Sequence, residues 1–188
     1  DLESPQNEVI VVLAGPEESS GHWDDAQSGQ LVIWGLRDQV SGGKYNGTSP
    51  TDRPFFKPVT LDPRLARLMV SLSRSGSEPT AVVDPFCGTG GIAIEASMLG
   101  FDVLASDLDP VMSSGTLTNL DWADGSGEFR VETHPAGSIH ELWGTKEGCS
   151  FVFDPPYGRN AWTSEDGLEI LLGTLSSALS MGQGGTVC

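Results

Sequence analysis

The stretch Ala81-Val82-Val83-Asp84-Pro85-Phe86-Cys87-Gly88-Thr89-Gly90-Gly91 passes from a short apolar run through an acid into a glycine-rich turn. Residues 81–84 read as a strand and residues 90–99 as a helix, with Gly100 past its end. Glycines directly after a buried strand let the backbone turn sharply and approach a ligand without interference from a Cβ. The alternation then continues. A second strand is predicted at 102–106, a second helix at 110–122, a weaker strand around 128–132, a stronger one at 149–153, and a helix from about Asp166 to Met181. Strands alternating with helices predict an α/β fold, a mostly parallel Rossmann-like sheet covered by helices on both faces. Ligands of such sheets bind beyond the carboxyl ends of the strands.

Just upstream, Leu61-Asp62-Pro63-Arg64-Leu65-Ala66-Arg67-Leu68-Met69-Val70 carries a helix start. Asp62 can cap it, Pro63 takes the first helical position, and Leu65, Leu68, Met69 and Leu72 follow at helical spacing. Residues 1–52 have a different texture. Val9-Ile10-Val11-Val12-Leu13 and Leu31-Val32-Ile33-Trp34 are strand candidates separated by a polar, Gly/Ser-rich stretch. The expected division is therefore a linker or small β element at 1–52 and the α/β domain at 53–188. The missing initiator Met and the strand-like start at Gly184-Gly185-Thr186-Val187-Cys188 predict an internal fragment, with its sheet truncated before the last strands.

At 188 residues the chain is long enough for one ordinary domain with a sizeable core. No apolar stretch reaches membrane-spanning length, which argues against a membrane role. The cysteines Cys87, Cys149 and Cys188 are few and lack metal-knuckle spacing, so a reducing cytoplasm, no disulfide framework and no metal are expected. His22, His134 and His140 are isolated and read as structural or surface residues. The net charge of −16, with lysine only at positions 44, 57 and 146, sits uneasily with a nucleic-acid partner, because phosphate neutralisation dominates that affinity. A gripping surface outside this segment, a high-salt proteome, or a small-molecule substrate would each accommodate it.

Four places carry candidate chemistry. In the first loop, Asp84, Pro85, Phe86, Cys87, Gly88, Thr89 and Gly90 are cofactor-binding candidates. A dinucleotide loop presents a helix N-terminus to a pyrophosphate, but here an acid ends the strand. An acid repels a pyrophosphate and suits the ammonium of S-adenosylmethionine; a purely structural turn or a nucleotide-phosphate site are the alternatives. At the end of the second strand, Asp107 can accept ribose hydroxyls, with Leu108 beside it in the cofactor set and Asp109 free to cap the next helix. After the third strand, Ser138 is a candidate hydrogen-bonder and Ile139 an apolar wall for the adenine, or the segment is an ordinary loop.

The fourth place is Asp154-Pro155-Pro156-Tyr157, directly after Ser150-Phe151-Val152-Phe153. The exocyclic amine of a base is a poor nucleophile because its lone pair is delocalised into the ring. Acceptors on both N–H bonds, the Asp154 carboxylate and the Pro155 carbonyl, would bias the nitrogen toward an attacking geometry. Prolines have fixed φ and no competing N–H, so Pro155 and Pro156 present that carbonyl rigidly. Tyr157 would stack on the base. The alternative is a proline-rich turn after a core strand. Arg53-Pro54-Phe55-Phe56-Lys57-Pro58 adds cations and aromatics that would line a pocket, contact phosphate, or simply pack on the core.

These segments resemble the archaeal and eukaryotic tRNA guanosine-10 N2-methyltransferase family. The matching residues are 53–58 with Leu61-Asp62-Pro63-Arg64-Leu65-Ala66-Arg67, then 84–91, Ser106-Asp107-Leu108-Asp109-Pro110 and Asp154-Pro155-Pro156-Tyr157-Gly158. The resemblance implies an S-adenosylmethionine-dependent methyltransferase domain acting on a guanine amine in tRNA. It also implies a preceding THUMP-type RNA-binding domain, of which 1–52 would be the trailing end. Rival readings are a DNA adenine-N6 or cytosine-N4 methyltransferase, separable by nucleoside analysis, and a non-catalytic RNA- or cofactor-binding module. Ser138 stands where related enzymes often place an acid.

Overall fold

The computed structural model describes residues 9–14, 31–36, 49–58, 60–73, 81–156, 167–182 and 186–188. Two compact units are present, Asp1–Lys44 and Tyr45–Cys188. In the first, β1 (Val9–Ala14) pairs antiparallel with β2 (Leu31–Leu36), Val9 opposite Leu36 and Ala14 opposite Leu31. Both strands lie where the apolar runs predict them.

The second unit is the α/β domain. After a short 3-10 turn at Pro50–Asp52 come α1 (Pro63–Leu72), β3 (Ala81–Asp84), α2 (Gly91–Met98), β4 (Asp102–Asp107) and α3 (Pro110–Ala123). They are followed by β5 (Phe129–Thr133), α4 (Ile139–Trp143), β6 (Cys149–Phe151), α5 (Gly167–Met181) and β7 (Thr186–Val187). The five strands form one sheet in the order β5-β4-β3-β6-β7, every pair parallel. The chain steps outward from β3 to β5 and then returns to the other side of β3, so the order reverses between β3 and β6. A crevice forms at such a reversal, where neighbouring loops leave in opposite directions.

The sheet is buried on both faces, which is why β3 shows no polar alternation. Side chains still alternate. Val82, Val103 and Val152 pack with Val70, Ile92 and Leu120 on the side of α1, α2 and α3. Val83, Leu104 and Phe151 pack with Ile139, Ala178 and Met181 on the side of α4 and α5. Local signals start the helices as expected: Asp62 Oδ1 accepts from the Arg64 N–H at 2.8 Å, and Asp109 Oδ1 from the Val111 N–H at 2.8 Å. β6 is shorter than the apolar run 149–153, but the Val152 N–H still donates to the Val83 carbonyl at 3.0 Å.

One buried charge joins α1 to α2. Glu95 is 1% exposed and accepts from Arg67 Nη1 at 3.0 Å, with burial raising its pKa against the pull of Arg67 and Arg53. Arg67→Met would leave that carboxylate without its ion-pair partner from α1. We expect a loss of about 3–5 kcal/mol in urea unfolding at neutral pH, because breaking one side of a buried pair strands the other.

Candidate active site

Three acids stand at the carboxyl ends of three neighbouring strands: Asp84 closing β3, Asp107 closing β4, and Asp154 shortly after β6. Parallel pairing puts these ends on one edge of the sheet. Asp84 is 1% exposed, and its Oδ1 accepts from the Phe86 N–H at 3.1 Å. Burial, and then the nearby charges of Asp107 and Asp154, push its pKa up to about 8. Burial also raises Asp107 and Asp154 above the ordinary carboxylate range. Three carboxyl groups gathered at one edge of the sheet favour a cationic ligand group and disfavour a phosphate.

The glycine-rich turn is pinned from below and from the side. Gly88 and Gly90 take φ of +53° and +82°, the left-handed region that an L side chain rarely adopts. Asp107 Oδ2 accepts from the Gly88 N–H and its Oδ1 from the Asp109 N–H, both at 2.9 Å. An ionised carboxylate has about four acceptor positions, so these two bonds leave capacity for ligand hydroxyls. The Cys87 N–H donates to the Ser106 carbonyl at 2.9 Å, continuing the ladder past the end of β3. Burial pushes the Cys87 thiol well up, so it stays protonated and acts as a small apolar residue. Thr89 and Pro85 are buried. Leu108, in contrast, is 71% exposed at the rim beyond Asp107.

The turn after β6 meets this loop directly. The Phe86 ring packs against Phe153 with centroids 5.7 Å apart and planes tilted by 49°. Asp154, Pro155 and Pro156 are half-buried. Tyr157 lies outside the described residues.

The residues expected near the adenine lie just after β5. Ser138 ends a 3-10 turn at Ala136–Ser138, and its Oγ is 3.0 Å from His134 Nε2. Ile139, the first residue of α4, is fully buried and packs in the core with Val83, Leu104 and Met181. His140 is likewise engaged, its Nδ1 2.8 Å from Ser177 Oγ.

The segment 53–58 lies against α3. Phe55 and Pro54 form one side of an open groove of about 450 Å³ whose other side is Pro110, Val111, Ser114, Gly115 and Thr118. Arg53 is buried, Phe56 is 44% exposed, and Lys57 Nζ sits 5.8 Å from the Phe55 ring centroid.

Two residues absent from the sequence expectations brace the site. The Thr116 hydroxyl donates to the Gly88 carbonyl at 2.9 Å, and Asn119 Nδ2 donates to the Thr89 carbonyl at 2.8 Å. Both side chains are fully buried. The available signal was a hydroxyl and an amide three apart on the helix face that also carries the core residue Leu120.

Comparison with known proteins agrees with this architecture. A family model described as UPF0020, RMKL-like, methyltransferase domain, matches residues 50–187. The tRNA (guanine(10)-N2)-dimethyltransferase of Methanothermobacter thermautotrophicus is 39% identical over 153 residues, 79% of this chain and 44% of that protein. The protein of the same name from Pyrococcus abyssi is 35% identical over 154 residues, 81% of this chain and 46% of its own length. The chain thus spans less than half the length of these curated relatives. Among solved structures, TrmN from Thermus thermophilus has a TM-score of 0.54 at 29% identity, covering 68% of this chain and 37% of that one. The rRNA methyltransferase aviRa from Streptomyces viridochromogenes has a TM-score of 0.61 at 17% identity over 80% of this chain and 83% of its own, a likeness of fold. With a family match running from Pro50 to Val187 over the sheet and all three acidic strand ends, the chain belongs to the UPF0020 family of RMKL-like methyltransferase domains.

Proposed function

We propose that this domain transfers a methyl group from S-adenosylmethionine to the exocyclic N2 amine of a guanine in tRNA. The observation that carries the reading is the junction of the Asp154-Pro155-Pro156 turn with the glycine-rich loop at the sheet's reversal point, tied by Phe86 on Phe153. The residues present fit the donor: a buried acid for its ammonium, a turn with two left-handed glycines for close backbone approach, and a carboxylate with spare acceptor capacity for its ribose. When bound, S-adenosylmethionine supplies a methyl group already activated on a sulfonium, so no further activation of the donor is needed.

The chain's own residues have three tasks. Asp84 holds the ammonium, Asp107 the ribose hydroxyls, and Leu108 supplies exposed apolar surface at the rim. The Asp154 carboxylate and Pro155 carbonyl accept the two N–H bonds of the amine and orient its nitrogen. Pro156 keeps that turn free of competing donors, and Tyr157 stacks on the base. A paired guanine is unstacked to reach such a pocket. Within this proposal residues 53–188 are the N-terminal portion of the methyltransferase domain, and 1–52 the linker or trailing end of an RNA-binding domain.

The test is incubation of the full-length protein with labelled S-adenosylmethionine and either unmodified tRNA or duplex DNA, followed by nucleoside analysis. N2-methylated guanosine in tRNA is the expected product. Label in DNA, or donor binding without any transfer, would overturn the assignment.

A further inference from the structure

Asn119 occupies an unusual position between two parts of the site. It sits on α3, fully buried, and uses three of its hydrogen-bonding positions. Its Oδ1 accepts from the Phe55 N–H at 2.9 Å, and its Nδ2 donates to the Phe55 carbonyl and to the Thr89 carbonyl, each at 2.8 Å. The first two bonds hold the backbone of segment 53–58 as a neighbouring strand would. The third holds the glycine-rich turn. One carboxamide therefore fixes both at once.

Other contacts restrict the same two bodies. Thr60 Oγ1 and Thr89 Oγ1 are 2.9 Å apart, a second link between the incoming segment and the turn. Phe55 is seated by the absence of a side chain on α3: a Cβ at Gly115 would lie 2.1 Å from the Phe55 ring. Drawing the Gly88 carbonyl toward Thr116 also orients the Thr89 N–H the opposite way, because a trans peptide carries its C=O and N–H antiparallel. The peptide that Asn119 holds through the Thr89 carbonyl closes the turn, its Gly90 N–H donating to the Cys87 carbonyl at 2.7 Å. The presentation of the turn is thus set from α3, and through Asn119 it depends on where Phe55 rests.

We propose that Asn119 is a positioning residue that couples the seating of Phe55 on Gly115 to the geometry of the 88–90 turn, so that segment 53–58 and the methyl-donor site respond to each other. The inference rests on the donor reading given above. Coupling of this kind is reciprocal. Donor binding should order segment 53–58, and displacing Phe55 should weaken donor binding.

The experiment uses the full-length protein with S-adenosylhomocysteine as the probe, read by calorimetry and by amide hydrogen exchange. In the wild type, the probe should slow exchange across 53–58 as well as 86–91. Asn119→Ala should abolish the effect on 53–58. Because that variant leaves buried carbonyls unpaired and risks misfolding, Gly115→Ala is the second arm: it displaces a half-exposed ring while favouring the helix. Gly115→Ala should weaken probe binding about tenfold, within the range usual for coupled sites. A purely structural role would lower the melting temperature and leave the affinity of folded protein unchanged, and that result would overturn the proposal. So would probe binding that protects 86–91 alone in the wild type. Failure of the wild type to bind the probe at all is a separate outcome, and it removes the donor reading on which this one stands.

Discussion

Asp154→Ala is expected to reduce methyl transfer by about 10²–10⁴-fold, the range by which a positioned side chain acting on a transferring proton usually contributes. Donor binding should survive. Asp154 is one of the charges that raise the pKa of Asp84, so removing it makes Asp84 easier to ionise. The dissociation constant for S-adenosylhomocysteine should therefore stay level or fall slightly at pH 7. Asp154→Asn makes the sharper comparison. Its carbonyl oxygen accepts an N–H much as the carboxylate does, so it should retain more activity than alanine while losing the charge. The pH profile adds a sign. Burial raises the Asp154 pKa, and the protonated carboxyl is the weaker acceptor, so transfer should decline as pH falls through that raised value. Single-turnover transfer to tRNA, measured with calorimetry on the same samples, separates loss of chemistry from loss of binding. Equal loss in both would place Asp154 in donor binding and not in orienting the amine.

Asp84→Asn should separate stability from binding. The folded protein holds the Asp84 proton up to about pH 8, whereas the unfolded chain releases it near the usual carboxylate value. Between those two values the folded state carries the extra proton, so stability falls as pH rises through the window. Asparagine removes that penalty and keeps an acceptor for the Phe86 N–H. We expect it to raise unfolding stability at pH 8 by on the order of 3–5 kcal/mol and to flatten the dependence on pH between about 4 and 8. Donor affinity should drop about 10²-fold or more, the usual consequence of deleting one partner of a buried charge pair. In the wild type, donor affinity should weaken by up to about tenfold per pH unit below 8, because the ammonium requires the ionised carboxylate. A variant that is stabilised but binds the donor as before would show that Asp84 serves the loop and not the ligand.

Much of this architecture was legible in the residues. A strand, an acid, a glycine turn and a buried helix from Ala81 to Met98 are local events, governed by side-chain pattern and by the freedom of glycine at positive φ. The caps Asp62 and Asp109 are likewise short-range, each reaching a backbone N–H two residues on. The repeated strand–helix order then required a parallel sheet, because only a crossover returns the chain in the same direction. Ile139 shows the limit. Its apolar character suits a ligand wall or a core equally, and only its packing with Val83, Leu104 and Met181 in the folded chain puts it in the core.

The residues alone determined the α/β alternation, the two site turns and the acids that end three of the strands, since each depends on neighbours a few positions away. Tertiary structure alone decided which strand ends adjoin, that Phe86 meets Phe153, and that Asn119 joins Phe55 to Thr89 across 64 and 30 positions of chain. Such contacts are chosen by how the whole sheet buries its two faces, and a polar side chain at a core-facing helical position carries no local mark of the partner it will find.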